Sequence, residues 1–487
     1  MTSISRSSDN PLITELPLPV PFDRLPALLM GAPLIDTLAR SATVCDRENL
    51  LSRIENHFVP TPIAVEIADA LLTAIYTSYL DRNPNLLEVK RQRYVAVGND
   101  ASNSTTKPGF APRSARCITI SGVTGLGKST IVDRTLTLLP QTIEHGPNEP
   151  AGWHSQKQLV WIKVAMTSDG SRLGFIMQIY QQVDAALGTD YFAQYSGKKL
   201  TIEHHLVAVS KILFNCFLGA LIVEEIQPRN FGEVASRDVM LLFFLRLANL
   251  GIPIILIGNP MGFKGFENFT QDVRRLTSGG QFELWPALSS QDRDWLEFLV
   301  PGMLEFNVMP KPPALNDAAD LLFRHTGGVT DFLSKIVAQA QLLALRRGQD
   351  QITDADVMAA YQGPVIRANH PIIRTLVARD GVALREILDV PHQAFLARWG
   401  ASDAASEEQK PTSNDANSSS SQRGGSPRFK NVEVAYKRKT TTAARRVERY
   451  GEGAGQLPSD DLRRDGLKKV LLENFEMSML RRRKHKR

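Results

Sequence analysis

The nine residues Gly122-Val123-Thr124-Gly125-Leu126-Gly127-Lys128-Ser129-Thr130 constrain this chain more than any other stretch. They complete the pattern GxxxxGK[ST]. A β-type apolar run, 117–121, stands directly before them, and a helical pattern runs from Lys128 toward Leu138. Glycines let a backbone wrap closely around a polyphosphate, and the N–H groups of the loop and of the helix start point at its oxygens. In such a loop Lys128 reaches the β and γ phosphates of a nucleotide, and Ser129 sets its hydroxyl on Mg2+. A chance glycine turn is a poor account of a match that has both flanking elements in place.

The surrounding pattern agrees with an α/β fold. Short β-rich runs at 117–121, 159–164, 220–223, 254–257 and 282–284 are separated by helix-length segments such as 175–187 and 238–250. Strands alternating with helices predict a parallel sheet sandwiched by helices. Beyond Asn316 the pattern becomes helical, at 318–325, 331–347 and 353–361, which predicts a small α-helical lid; 370–399 adds one or two more helices. Upstream, apolar residues at helical spacing between Asp46 and Tyr79 are broken by Pro60 and Pro62, as in two helices joined by a Thr-Pro turn. The expected division is an N-terminal arm and helical extension (1–110), an α/β core (111–312), a lid with following helices (313–400), a flexible linker (401–425) and a basic tail (426–487).

Length and composition bound the rest. A chain of 487 residues, 43% hydrophobic and 22% charged, suits a folded protein of two to four domains. The longest apolar run, 212–223 with Asn215 inside it, is shorter than the ~20 residues a bilayer requires, so no membrane partner is expected. The polar start lacks the pattern of a secretory signal, and Cys45, Cys117 and Cys216 have no CxxC spacing. A reducing cytoplasm is the expected compartment. Charge is uneven: 423–487 holds 19 Lys and Arg against 8 Asp and Glu, a net of +11, which leaves −5 for the residues before it. Such a block suits an acidic partner such as nucleic acid, although many basic tails are merely solvated.

Further chemistry-bearing positions follow the loop in order. Leu221-Ile222-Val223-Glu224-Glu225 is an apolar strand ending in two carboxylates. Beside a phosphate loop, Glu224 is placed to hold hydrated Mg2+ and Glu225 to orient and deprotonate an attacking water. The next strand ends in Gly258-Asn259, where an amide can hold that water or a phosphate oxygen. Arg274-Arg275 precedes the last strand, a position from which an arginine can reach a neighbouring subunit's nucleotide.

Taken together, the phosphate loop, Glu224-Glu225, Asn259, the paired arginines and the lid resemble an AAA+ ATPase. Within that superfamily, Val223-Glu224-Glu225-Ile226-Gln227, Ile257-Gly258-Asn259-Pro260, Pro60-Thr61-Pro62 and Tyr79-Leu80-Asp81-Arg82-Asn83-Pro84 are similar to the transposition regulators of the TnsC/TniB type, over about residues 40–362. The resemblance implies ATP and Mg2+ at 122–130, slow ATP hydrolysis and self-assembly on double-stranded DNA as heptamer-like rings or helical filaments. It also implies links to transposase subunits and to a target selector of the TnsD/TniQ type in a bacterial cytoplasm, with hydrolysis dismantling the assembly. Two departures stand out: Glu224 replaces the usual aspartate, and Gly327-Gly328-Val329-Thr330-Asp331 lacks the arginine with which many AAA+ lids sense the γ phosphate.

Because the body is net negative, duplex DNA must meet a local basic stripe. Lys163, Arg172, Lys198 and Lys199 are the candidates, contacting phosphates and not bases. In the tail, 467–480 has the spacing of a short amphipathic helix before six basic residues in seven, suited to a transposase or flanking DNA at the end of the tether. Two other functions fit the motifs: a replication initiator or helicase loader, and a scaffold in which ATP is only structural.

Overall fold

The computed structural model describes residues 9–30, 35, 39–98, 114–231, 234–264 and 270–400. The linker and tail expectations (401–487) lie outside the described residues. Five strands form one parallel sheet: β1 (Ile118–Gly122), β4 (Trp161–Ala165), β5 (Ala220–Ile226), β6 (Ile254–Gly258) and β7 (Gly280–Leu284), in the order β4-β5-β6-β1-β7. The chain leaves β1 in mid-sheet, jumps to the far edge at β4 and returns. This order opens a crevice beyond the carboxyl ends of the strands, where α/β sheets bind ligands.

Alternation along the strands divides two cores. Ile118, Ile120, Ile222, Ile255 and Ile257 face one way, against the helices Pro62–Asp81 and Lys128–Leu136. Leu221, Val223, Ile254 and Leu256 face the other, against Arg172–Leu187, Ile202–Asn215 and Val234–Asn249. The buried 220–223 of β5 and the whole of β6 read as nearly continuous apolar runs for this reason. A third core lies among the lid helices Ala318–Thr326, Thr330–Arg346 and Asp354–Gln362.

Two features differ from the sequence reading. The apolar run 159–164 was expected as one strand. Instead β3 (Gln156–Leu159) pairs antiparallel with β2 (Thr142–His145) in a separate ribbon, and β4 begins two residues later. An unbroken apolar run carries no mark of where a chain changes partners. The second difference concerns Pro62–Asp81, which is long and apolar enough to cross a membrane, although the sequence reading had expected no such segment. Proline at its first turn starts the helix without losing a hydrogen bond. Its Ile67, Leu71, Ile75 and Tyr79 are buried in the core.

The N-terminal arm is laid over that helix. Asn10 caps Pro11–Thr14 by accepting from the Leu12 amide, and its side-chain amide donates to the Tyr79 carbonyl at 2.8 Å. Leu12, Leu25 and Leu29 are fully buried, each contributing about 1.5–3 kcal/mol. After the lid, His370–Ala378, Gly381–Arg385 and His392–Trp399 fold back onto the first core, where Phe395 meets Trp285 edge-on at 5.0 Å.

Candidate functional site

The loop between β1 and the helix Lys128–Leu136 turns at Gly125 (φ 86°) and Gly127 (φ 78°), left-handed conformations that favour glycine. Two clefts meet on it. One, of about 1200 Å3, runs between Phe58, Val59 and Ile63 on one wall and Thr330 and Ser334 of the lid on the other, with Gly125, Gly127 and Thr130 as its floor. The second is lined by Thr124, Lys128, Ser129, Glu225, Gln227 and Asn259. A half-apolar cleft opening onto a phosphate-binding loop has the shape for a base and sugar on one side and phosphates on the other.

Lys128 folds back on its own loop, donating to the Gly122 carbonyl at 2.8 Å and the Val123 carbonyl at 2.9 Å. Burial pushes its ammonium down to about 8, with the Glu225 carboxylate opposing part of that fall. The empty fold therefore disfavours a charge that the unfolded chain keeps up to its ordinary value of 10.5. Stability of the empty protein should rise as pH climbs through that window. A triphosphate reverses the effect by stabilising the ammonium. Nucleotide binding near pH 9 should thus take up ~1 proton and near pH 7 almost none; calorimetry in two buffers of different ionisation enthalpy reads the difference, and Lys128→Ala should abolish it.

Glu224 and Glu225 are aimed apart by a β-bulge. The register of β5 against β6 shifts between Val223 and Ile226, and Glu225 sits at φ 58°. A non-glycine residue there costs ~1–3 kcal/mol and persists because its surroundings hold it. The Asn230 amide donates to the Glu225 carbonyl at 2.7 Å, the Gln227 amide side chain donates to the Glu225 carboxylate, and the Asn259 N–H donates to the Ile226 carbonyl at 2.8 Å. Glu225 thereby lines the phosphate cleft. Glu224 stays on the face covered by the P-loop helix, where Lys163 lies 3.2 Å from one of its oxygens; the other, Oε1, is buried without a partner. The orphaned Glu224 oxygen is a fitting donor for Mg2+, which takes oxygen ligands and keeps waters, and the Ser129 hydroxyl, which lines the phosphate cleft, is a second oxygen of the right kind. Ser129 and Glu224 would hold the ion, which would neutralise phosphate charge.

Asn259 is buried and already engaged: its Oδ1 accepts from the Met261 N–H at 2.9 Å and its Nδ2 donates to the Asp389 carbonyl at 2.7 Å. The two arginines differ. Arg275 is half-buried and donates to Asn249, whereas Arg274 is exposed with no partner among the described residues. Their helix, Thr270–Leu276, ends just before β7 begins, at the amino edge of the sheet. The P-loop leaves the opposite edge, so neither arginine belongs to the cleft of its own chain.

The four basic candidates also part company. Lys198 and Lys199 are exposed on the turn before Ile202–Asn215, Lys198 lying over the Tyr195 ring at 4.8 Å; Arg172 is half-buried at the start of its helix. Lys163 instead pairs with Asp133 at 2.6 Å and with Glu224. Burial acts to lower its pKa, but those two acids outweigh it and the net shift is upward.

The lid lacks an arginine at Asp331, and the structure gives that residue another contact. Its N–H donates to the Gly125 carbonyl at 2.9 Å, and its carboxylate pairs with Lys335 at 2.6 Å. A Cβ on Gly125 would stand 3.1 Å from that of Asp331, and one on Gly328 (φ 76°) 2.7 Å from the Ala287 main chain, so glycine is what lets the lid seat on the core. The apolar cleft wall escaped sequence reasoning, and Lys163, named there as a candidate DNA contact, was not foreseen beside Glu224, since each depends on segments brought together only by folding.

The family model for the AAA domain matches residues 112–265. Those residues form an AAA-type P-loop domain. No curated protein matches the chain. Among solved structures, Orc1 of Aeropyrum pernix in complex with DNA is 17% identical with a TM-score of 0.35, covering 67% of this chain and 78% of that one. Cdc6p of Pyrobaculum aerophilum is 11% identical with a TM-score of 0.37, covering 64% and 80%. The RuvB Holliday-junction branch-migration motor of Thermotoga maritima is 12% identical with a TM-score of 0.31, covering 60% and 78%. Likenesses this distant carry no function across.

Proposed function

We propose that this chain is an ATP-hydrolysing regulator of DNA transposition of the TnsC/TniB type, working on DNA in a bacterial cytoplasm. The observation that carries the ATPase reading is the meeting of two clefts on one P-loop, with Glu225 bent by a bulge to face the phosphate side. ATP lies across both clefts. Lys128 and the loop amides hold the phosphates, and Glu225, steadied by Gln227 and Asn230, takes a proton from the attacking water. Asn259 becomes available to that water when it releases the Asp389 carbonyl.

The exposed position of Arg274, on the edge of the sheet away from its own cleft, supports the proposed self-assembly. A head-to-tail contact brings that edge to the next copy's phosphates, and such contacts close into rings or run on as filaments. Double-stranded DNA is the proposed template, touched at its phosphates by Arg172, Lys198 and Lys199. The transposition role itself, with transposase subunits and a TnsD/TniQ-type selector as partners, rests on the sequence motifs around Glu224, Asn259 and Pro60. Electron micrographs of the protein with duplex DNA and a non-hydrolysable ATP analogue should show rings or filaments, lost on raising salt as phosphate contacts require; particles that stay monomeric would overturn the reading. A replication initiator or helicase loader would share the core and lid, and sequence-specific binding to an origin-like duplex in the same assay would favour it instead.

A further inference from the structure

Lys163 lies on the strand beside β5, and its ammonium joins acids from two elements, Asp133 at 2.6 Å and Glu224 at 3.2 Å. Asp133 stands four residues after Ser129 on the P-loop helix, so the two share a helix face. The helix packs by its neighbouring face, Ile131, Val132 and Leu136, into the core that Ile222 of β5 joins, which leaves Asp133 at the rim within reach of Lys163. One oxygen of Glu224 is therefore engaged by a cation, and the other is buried and unpartnered.

We propose that Lys163 is a positioning residue for the metal site: it holds Glu224 while no ion is bound, competes with Mg2+ for that carboxylate, and withdraws to Asp133 when the ion arrives. This rests on the nucleotide reading above. Glutamate has one more rotatable bond than aspartate, so an unrestrained Glu224 would lose more freedom on being fixed in place. The pair is only 31% and 14% exposed at its two side chains, where solvent screens less than at the surface and an unpaired charge is costly. With a divalent ion held at Glu224 the ammonium would be repelled, and Asp133, already at 2.6 Å, would receive it. No buried charge is left alone in either state.

The arrangement makes a signed prediction. Removing the competitor should tighten the ion, and removing its resting place should loosen it. Mg2+ is titrated into the full chain holding a fluorescent ATP analogue, with Mn2+ binding followed in parallel by electron paramagnetic resonance. In Lys163→Met the half-saturating Mg2+ concentration should fall about tenfold, and in Asp133→Asn it should rise by a similar factor. Lys163→Arg keeps the cation and should stay near wild type. A merely structural pair would shift both removals the same way. Shifts of one sign, or an unchanged value in Lys163→Met, would overturn the proposal while leaving the P-loop reading intact. Should Lys163→Met fail to fold, Asp133→Asn against Lys163→Arg decides alone: a half-saturating concentration that does not rise in the former overturns it. Wild-type protein that takes up no nucleotide would defeat both.

Discussion

Glu225→Gln is expected to lower ATP hydrolysis about 10²- to 10⁴-fold, the range in which a positioned general base contributes, while nucleotide binding changes little. The amide keeps the size of the side chain and its place in the bulge but takes no proton. Assemblies on DNA should then persist in ATP. Wild-type turnover in the variant would remove Glu225 from the chemistry and favour a scaffold in which nucleotide is structural. The backbone allows a second, independent check. Because Glu225 sits at φ 58°, Glu225→Gly removes the same base yet relieves strain, so thermal melting should show no loss of stability, and at most a gain on the order of 1 kcal/mol. Activity and stability should move apart, which distinguishes a strained functional residue from a packing one.

Arg274→Ala should cost about 10³- to 10⁵-fold in hydrolysis if its guanidinium neutralises charge at the neighbouring copy's phosphates. Arg275→Ala should act mainly on stability, since Arg275 is tied to Asn249. Mixing provides the sharper measurement. A site from an Arg274→Ala protomer facing the arginine of a Glu225→Gln protomer is complete, and roughly a quarter of the interfaces in an equal mixture of these two dead variants are of that kind. Recovered hydrolysis on mixing would show the arginine acting between copies. A mixture as inactive as its parts would place it elsewhere.

Much of this site was legible because its parts lie in short segments. The P-loop is nine consecutive residues whose backbone does the binding, and the buried β5 and β6 announce themselves as apolar runs with a polar residue at the carboxyl end. The conformation of Glu225 had no such signal: no glycine marks the left-handed position, and the bulge depends on Asn230 and on the partner strand. Lys163 was read as a surface cation because neither acid that holds it is near in sequence; one is 30 residues before it and the other 61 after. The lid contact was legible only as a missing arginine. That the Asp331 main chain would bond Gly125 instead depends on a helix start arriving from 206 residues away.

Segments near residues 60, 125, 285 and 330, together with the turn at 386–389, all border the clefts that share the P-loop. Any guest filling both acts as a rivet through segments drawn from distant parts of the chain. Its binding energy is added to the cohesion of the whole in proportion to the logarithm of its concentration over its dissociation constant. Supply of that guest thus sets how far the lid and the core rise and fall as one body, and a starved molecule would open at its seams before it unravels.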